Sequence, residues 1–367
     1  MKIVYILPVD MSEYGYSLKD FIDTHFSVQI AKEISRQGHT TELYVFWKEN
    51  RLYTEGNFTI YFIPRNFRHL FNLNFSYFSY ALLKKKLDCD VIHFHEPNRL
   101  FFIFFRITHY KQKMVAEHHG SGIVNPFPIK SMFYWVYVMI RRLLLPHLLS
   151  SCNYYIVHNK RAATDALKYV KKQQIIISGN GINHFNFKFF NKKKTRNILG
   201  INNEIIFLFV GRIEKNKGIE ELVKAYENIK NNTKLIIAGP LQDTSLKNIV
   251  NPYWVGFKSG EELQSLYSAA DVFCLPTYFE SFGIVIIEAL FYNLPLIVSD
   301  IPNLREFAKI ENTIFTEVGN TIDLENAMKE MLGESKRKSL SKGGHSYVLN
   351  SYTWEKICSR YIKLYKK

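Results

Sequence analysis

Short runs of branched and aromatic apolar residues alternate with segments of helical period along most of this chain, and that alternation leaves few folds open. In the first half, Ile3 to Leu7 reads as a buried strand. Phe26 to Ile34 carries apolar residues at helical spacing and closes on Gly38, and Thr40 to Phe46 returns to strand character. Val91 to His95, Met114 to Glu117, Tyr154 to Val157 and Ile175 to Ile177 continue the series. The second half repeats it with Ile205 to Val210, Leu235 to Ala238, Val272 to Leu275 and Leu296 to Val298. Strands separated by helices pair in parallel, because each crossover brings the chain back to the same edge of the sheet. The expected fold class is therefore α/β, with Rossmann-like, doubly wound parallel sheets.

A chain of 367 residues exceeds what one hydrophobic core usually serves, so two domains are expected. Residues 186–202 are rich in Lys and Asn and poor in periodic apolar positions, which predicts a linker between a domain at 1–185 and another at 203–347. Ser259-Gly260-Glu261-Glu262 has the form of a capping box ahead of Leu263, Leu266, Tyr267 and Ala270. Residues 348–367 end the chain in a basic helix whose apolar positions are Trp354, Ile357, Tyr361, Ile362 and Leu364. Open parallel sheets hold ligands at the carboxyl ends of their strands, so two such sheets facing one another predict a cleft lined by loops.

The four cysteines stand far apart with no zinc-like or CxxC spacing, as expected of reduced thiols in a cytoplasmic protein. The first apolar run is too short for a signal-peptide core, and the apolar stretches at 100–107 and 132–140 are broken by Arg106, Arg141 and Arg142. No transmembrane segment is expected. Charge is unevenly spread: residues 1–185 carry 23 Lys/Arg against 13 Asp/Glu, whereas 203–347 carry 15 against 19. One lobe is thus suited to an anionic surface and the other is not.

Chemistry concentrates in segments that directly follow strands. After Ile205 to Val210 comes Gly211-Arg212-Ile213-Glu214-Lys215-Asn216-Lys217-Gly218, which places a planar guanidinium and a compact ammonium at a sheet edge. This could be a solvated charged loop or a clamp for a leaving diphosphate. After Val272 to Leu275, Glu280 falls in a loop and Glu288 in an almost wholly apolar helix from Ile284 to Leu290, where a carboxylate is costly without a partner. Eight residues apart, the two cannot share a proton, but they can grip two ends of one long ligand. Between them Ser281-Phe282-Gly283 offers backbone N–H groups at a helix N-terminus, a favourable place for phosphate.

These residues resemble the signature of the retaining family 4 glycosyltransferases ("glycosyl transferases group 1"), which have the GT-B fold. Glu280 and Glu288 separated by seven residues, with Pro276 before them and Phe282-Gly283 inside, match its two-glutamate motif. Gly211-Arg212 with Lys217-Gly218 is similar to its diphosphate clamp. Tyr267 to Val272, Asn180-Gly181-Ile182 and Trp354-Glu355-Lys356 match further segments. The resemblance implies Arg212 and Lys217 as diphosphate ligands, Glu280 and Ile284 as donor contacts and Glu288 as the ribose ligand. In Glu117-His118-His119-Gly120 it implies His119 as a residue facing the donor sugar, with His118 as the alternative register. Gly15 falls where the family has a glycine-rich turn near the donor, although no glycine pair stands here. Asn293 replaces the glycine usual before Leu294-Pro295.

By the same resemblance the reaction is transfer of a hexosyl group from a nucleotide diphosphate sugar, with retention and without a metal or other cofactor. Asp88-Cys89-Asp90 has the form of a metal-binding Asp-x-Asp but reads as the lead-in to a strand, and His93 and His95 read as packing or cleft-lining residues. Arg65 to Lys86 and Ile129 to Leu149 interleave cations with aromatic and apolar residues, which suits peripheral contact with an anionic membrane and a glycan or lipid-linked acceptor. A packed core with solvated lysines accounts for the same pattern. Nucleic-acid binding is a weaker rival, because no recognition module is visible and the second domain is acidic. Epimerisation or hydrolysis of the nucleotide sugar on the same fold is the other.

Overall fold

Runs dominated by apolar residues form the central strands, because parallel sheets are covered on both faces. The structure is a computed structural model that describes residues 1–14, 17–64, 79–97, 100–119, 132–251, 253–308 and 310–367. The chain divides into two compact units, Met1–Gly181 with Trp354–Lys367, and Ile182–Thr353.

The first unit holds β1 (Lys2–Asp10), β2 (Thr40–Trp47), β3 (Arg51–Glu55), β4 (Phe58–Pro64), β5 (Val91–His95), β6 (Met114–His118), β7 (Tyr154–Val157) and β8 (Ile175–Ile177). They form one sheet in the order β3-β4-β2-β1-β5-β6-β7-β8, parallel throughout except for the β3/β4 hairpin. That hairpin was not expected from the sequence. Its signal is the alternation of Phe58, Ile60 and Phe62, all buried, with half-buried Thr59 and Tyr61 behind the Gly56 turn.

The last helix, Trp354–Lys366, buries Trp354, Ile357, Cys358, Tyr361, Ile362 and Tyr365, a stripe at positions i, i+3, i+4, i+7, i+8 and i+11. Tyr365 rather than Leu364 therefore lies on the inner face. The helix packs on Phe26–Arg36, with Ser359 Oγ 3.2 Å from Gln37 Oε1.

The second unit holds β9 (Ile205–Val210), β10 (Thr233–Ala238), β11 (Val272–Leu275), β12 (Leu296–Ser299) and β13 (Thr313–Thr316), all parallel, in the order β10-β9-β11-β12-β13. The segment 186–202 belongs to this unit and is not a separate linker. Helix Lys192–Ile198, capped by Asn191, lies within it. Its cations are fixed: Lys192 Nζ is 2.8 Å from Asp271, Arg196 also pairs with Asp271, and Arg196 Nε donates to the Ala269 carbonyl at 3.0 Å. The capping box at Ser259 does not form. Gly260 takes φ +53 at the start of helix Gly260–Ala269, the Ser259 side chain makes no cap hydrogen bond, and Glu262 turns to Lys258 at 3.4 Å.

Candidate active site

Counted from the start of its own unit, the second sheet runs 2-1-3-4-5, so the winding direction reverses between β9 and β11. Loops that leave neighbouring strands on either side of such a reversal part to opposite faces and open a crevice at the carboxyl edge. The Gly211–Gly218 loop follows β9, and the Pro276–Gly283 loop follows β11. Close contact joins them. Gly218 adopts φ +67, and a Cβ there would stand 1.9 Å from the Pro276 carbonyl oxygen, so only glycine permits the approach. Tyr278 N and Thr277 Oγ1 donate to the Asn216 carbonyl at 2.8 and 3.1 Å.

This stitching sets Lys217 Nζ 2.9 Å from Glu280 Oε2, with side chains only 10% and 16% exposed. Glu280 is held at both ends: its Oε1 accepts the Ser281 N–H at 3.0 Å, and its carbonyl accepts from Asn303 Nδ2 at 2.7 Å. Arg212 stands apart from this pair, 60% exposed, with its guanidinium 3.0 Å from Glu214. Phe282 is buried against Phe307, so its side chain serves the core and only its backbone belongs to the loop. Gly283 takes φ +75 and starts helix Ile284–Phe291, in which Ile284 is half-buried at the first position.

Glu288, in the second turn of that helix, is half-buried among apolar neighbours. Its Oε2 accepts the Tyr267 hydroxyl at 2.8 Å. Burial pushes its carboxyl up to about 7, and the Tyr267 hydrogen bond opposes the rise. Tyr267 in turn stacks on Tyr292, ring centroids 5.4 Å apart. Its part in holding Glu288 was not read from the sequence, where it counted as an apolar helix position and as the start of a segment matching the family. Asn293 has φ +56, a left-handed conformation that asparagine tolerates better than other residues with a side chain, which explains how it stands in for glycine.

In the first unit Gly15 lies outside the described residues. His119 follows β6, and its ring packs on Phe26 at 3.9 Å and on His158 at 4.4 Å. His118 points the other way, with Nδ1 3.4 Å from Glu96. His93 and His95 are buried and converge with His119 on the carboxylate of Glu117, which the sequence reading left out. Burial opposes the charge on Glu117, but nearby His119 and the hydrogen bonds from His119, His93 and His95 outweigh it and hold the carboxyl well below its usual range. The missed signal is the period of two shared by His93, His95, Glu117 and His119 on adjacent strands. Among the described residues, His93, His95 and Glu117 form one group with ligand atoms close enough for a metal ion, and Glu117, His119 and His158 form another. The contacts of His93 and His95 with Glu117, at 2.9 and 3.1 Å, have ordinary hydrogen-bond lengths. Asp90 accepts the Lys2 N–H at 2.8 Å, a contact between neighbouring strand starts.

The family model "Glycosyltransferase Family 4" matches residues 25–184, and "Glycosyl transferases group 1" matches residues 191–346. This chain belongs to the family 4 glycosyltransferases. An uncharacterised glycosyltransferase of Methanocaldococcus jannaschii is 32% identical over 51% of this chain and 52% of its own length. The capsular polysaccharide biosynthesis glycosyltransferase CapM of Staphylococcus aureus is 29% identical over 52% of this chain and 54% of its own length. Each match thus spans about half of the relative. Among solved structures, sucrose-phosphate synthase from Thermosynechococcus elongatus superposes with a TM-score of 0.74 at 19% identity, covering 100% of this chain and 98% of that one. Anabaena HepE, solved in complex with UDP and glucose, gives 0.72 at 13% identity and covers 100% of both chains. At these identities the likeness is one of fold, and this family 4 chain has the GT-B fold.

Proposed function

We propose that this chain transfers a hexosyl group from a nucleotide diphosphate sugar to a glycan or lipid-linked acceptor, with retention of anomeric configuration, in the synthesis of an envelope polysaccharide or glycolipid. The observation that carries this reading is the Lys217–Glu280 pair at the reversal point of the second sheet, with Arg212 on the same loop and Glu288 further along. In the donor complex Lys217 and Arg212 bind the diphosphate beside the N-terminus of helix Ile284–Phe291, Glu280 takes sugar hydroxyls and Glu288 takes the ribose. Fixed positive charge at the leaving phosphate stabilises the transition state as the glycosidic bond opens. With two cations and a helix terminus in place, transfer proceeds in the presence of a chelator.

The acceptor class draws on the printed roles of relatives. CapM acts in capsular polysaccharide biosynthesis, and an O-antigen chain mannosyltransferase of Escherichia coli is 26% identical over 43% of this chain. HepE crystallised with UDP and with UDP-glucose, so uridine donors head the panel. Thermal shift against a series of nucleotide sugars identifies the donor by mass action. Product analysis then tests transfer: free sugar or an epimer formed without acceptor dependence would refute it, and the anomeric coupling of the product tests retention.

No helix among the described residues is long and apolar enough to cross a membrane. Helices Leu100–Thr108 and Met132–Ser150 pack together and expose Phe104, Ile107, Met139, Leu143 and Leu144 beside Arg142. Apolar side chains flanked by cations suit an interface with anionic lipid. The chain meets its acceptor there as a peripheral protein. The aromatic-basic stretch at 65–78 lies outside the described residues.

A further inference from the structure

The buried carboxylate of Glu117 gathers side chains from β5, from the residues that follow β6 and β7, and from the last helix. Its Oε2 lies 2.9 Å from His93 Nε2, 3.1 Å from His95 Nδ1 and 3.4 Å from His119 Nε2. Its Oε1 accepts the hydroxyl of Tyr361 and lies 3.5 Å from His158 Nε2. Tyr365, one turn beyond Tyr361, binds His93 Nδ1 and lies 3.4 Å from the hydroxyl of Tyr5.

An ionised carboxylate only accepts hydrogen bonds, so a ring nitrogen bonded to it must carry the hydrogen. The arrangement therefore assigns Nε2–H to His93. His95 Nδ1 and His119 Nε2 lie 3.3 Å from one another as well as 3.1 and 3.4 Å from Glu117 Oε2, and only a hydrogen on each, turned to the shared carboxylate oxygen, leaves no lone pair facing that charge. His158 is different. Its Nδ1 stands 2.6 Å from the Ser178 carbonyl, which also only accepts, so its neutral ring turns a lone pair toward Glu117. Burial, which pushes His158 down to about 3 and His95 to about 4, keeps both rings neutral. The His119 ring lies between Phe26 and His158, which fixes its plane and leaves the site of its proton to Glu117. Among the described residues, His119 Nδ1 has no hydrogen-bond partner.

We propose that Glu117 is a positioning residue for His119: it holds the imidazole as the Nε2–H tautomer, so that Nδ1 accepts a hydroxyl of the donor sugar, and Tyr361 and Tyr365 tie this setting to the last helix. The proposal rests on the reading of His119 as a donor-sugar contact. It accounts for a buried carboxylate and two buried tyrosine hydroxyls that sugar transfer by itself does not use.

Long-range ¹H–¹⁵N spectra of the full chain labelled with ¹⁵N-histidine test it, with His119 assigned by its loss in His119→Asn. The expected wild-type pattern is Nε2–H with an unprotonated Nδ1. Glu117→Gln is expected to mix the tautomers and lower kcat about tenfold, less than the roughly 10²-fold that a misplaced group costs, while the donor KM stays near its wild-type value. Tyr361→Phe, which deletes one hydroxyl only, is expected to do the same more weakly, and it serves if Glu117→Gln does not fold. An Nδ1–H tautomer in the wild type would overturn the proposal. So would unchanged tautomer and kcat in both folded variants, or a stoichiometric metal bound by the purified protein through these nitrogens. Wild-type turnover in His119→Asn would instead sink the reading of His119 itself while leaving the tautomer assignment standing.

Discussion

Lys217 and Glu280, 63 positions apart in sequence, form a largely buried ion pair at 2.9 Å between the loops that follow β9 and β11. Both are expected donor ligands, so in the ligand-free chain each satisfies the other. A buried charge left without its partner is costly, and removing one member should therefore hurt both stability and binding.

Lys217→Ala and Arg212→Ala separate these effects. Both should lower turnover about 10²- to 10³-fold, as for loss of a preorganised electrostatic donor. Only Lys217→Ala should also lower the melting temperature, because Arg212 is an exposed cation whose ion pair with Glu214 contributes little. Near-normal transfer in both variants would end the clamp assignment.

Glu288 gives a pH signature. Its carboxyl titrates near 7 in the fold against an ordinary 4.5, so between these values the folded state holds more protons than the unfolded one. Stability is then full below the lower value and falls as pH rises toward the higher one. Glu288→Gln removes that loss. Its unfolding free energy at pH 8 should exceed the wild-type value by roughly 1–3 kcal/mol, and the gain should vanish near pH 4.5. Calorimetry at both pH values checks this, and weaker donor binding by the same variant checks the ribose role.

Gly218→Ala tests the contact between the two loops. A left-handed backbone costs ~1–2 kcal/mol for a residue with Cβ, and here the new Cβ would overlap the Pro276 carbonyl oxygen as well. Gly56→Ala, at φ +58 with nothing within 4 Å, should show the backbone cost alone. A Gly218→Ala variant no less stable than Gly56→Ala would contradict the close approach.

Flotation with vesicles containing anionic lipid tests the exposed face of Leu100–Thr108 and Met132–Ser150. The wild type should float, and binding should weaken with salt. The double variant Ile107→Asp, Leu143→Asp should remain at the bottom of the gradient with its fold unchanged, since both side chains are more than half exposed. Equal flotation of the two proteins would exclude this face.

Strand positions were legible where a run is apolar at every residue. β7, β9 and β11 fall at the expected boundaries, because central parallel strands are covered on both faces, and β5, with two buried histidines, and the three-isoleucine edge strand β8 do so as well. β3, β4 and β13 were missed. The first two form an antiparallel edge hairpin, and β13 has only two apolar residues, Ile314 and Phe315, set between Thr313 and Thr316. The segment at 186–202 looked like a linker because its cations give no apolar period. Only packing revealed that Lys192 and Arg196 are anchored on Asp271.

By itself the sequence determined the α/β class, most strands and the two-glutamate segment, since these depend on local period and on residues close together in the chain. The tertiary structure alone decided which groups meet. Sheet order brings the loops after β9 and β11 together and so pairs Lys217 with Glu280. The inward direction of alternate side chains on β5 and β6 gathers His93, His95, Glu117 and His119. The return of the last helix supplies Tyr361 and Tyr365. These pairings depend on distances across the sheet and on side-chain direction, which a linear period does not carry.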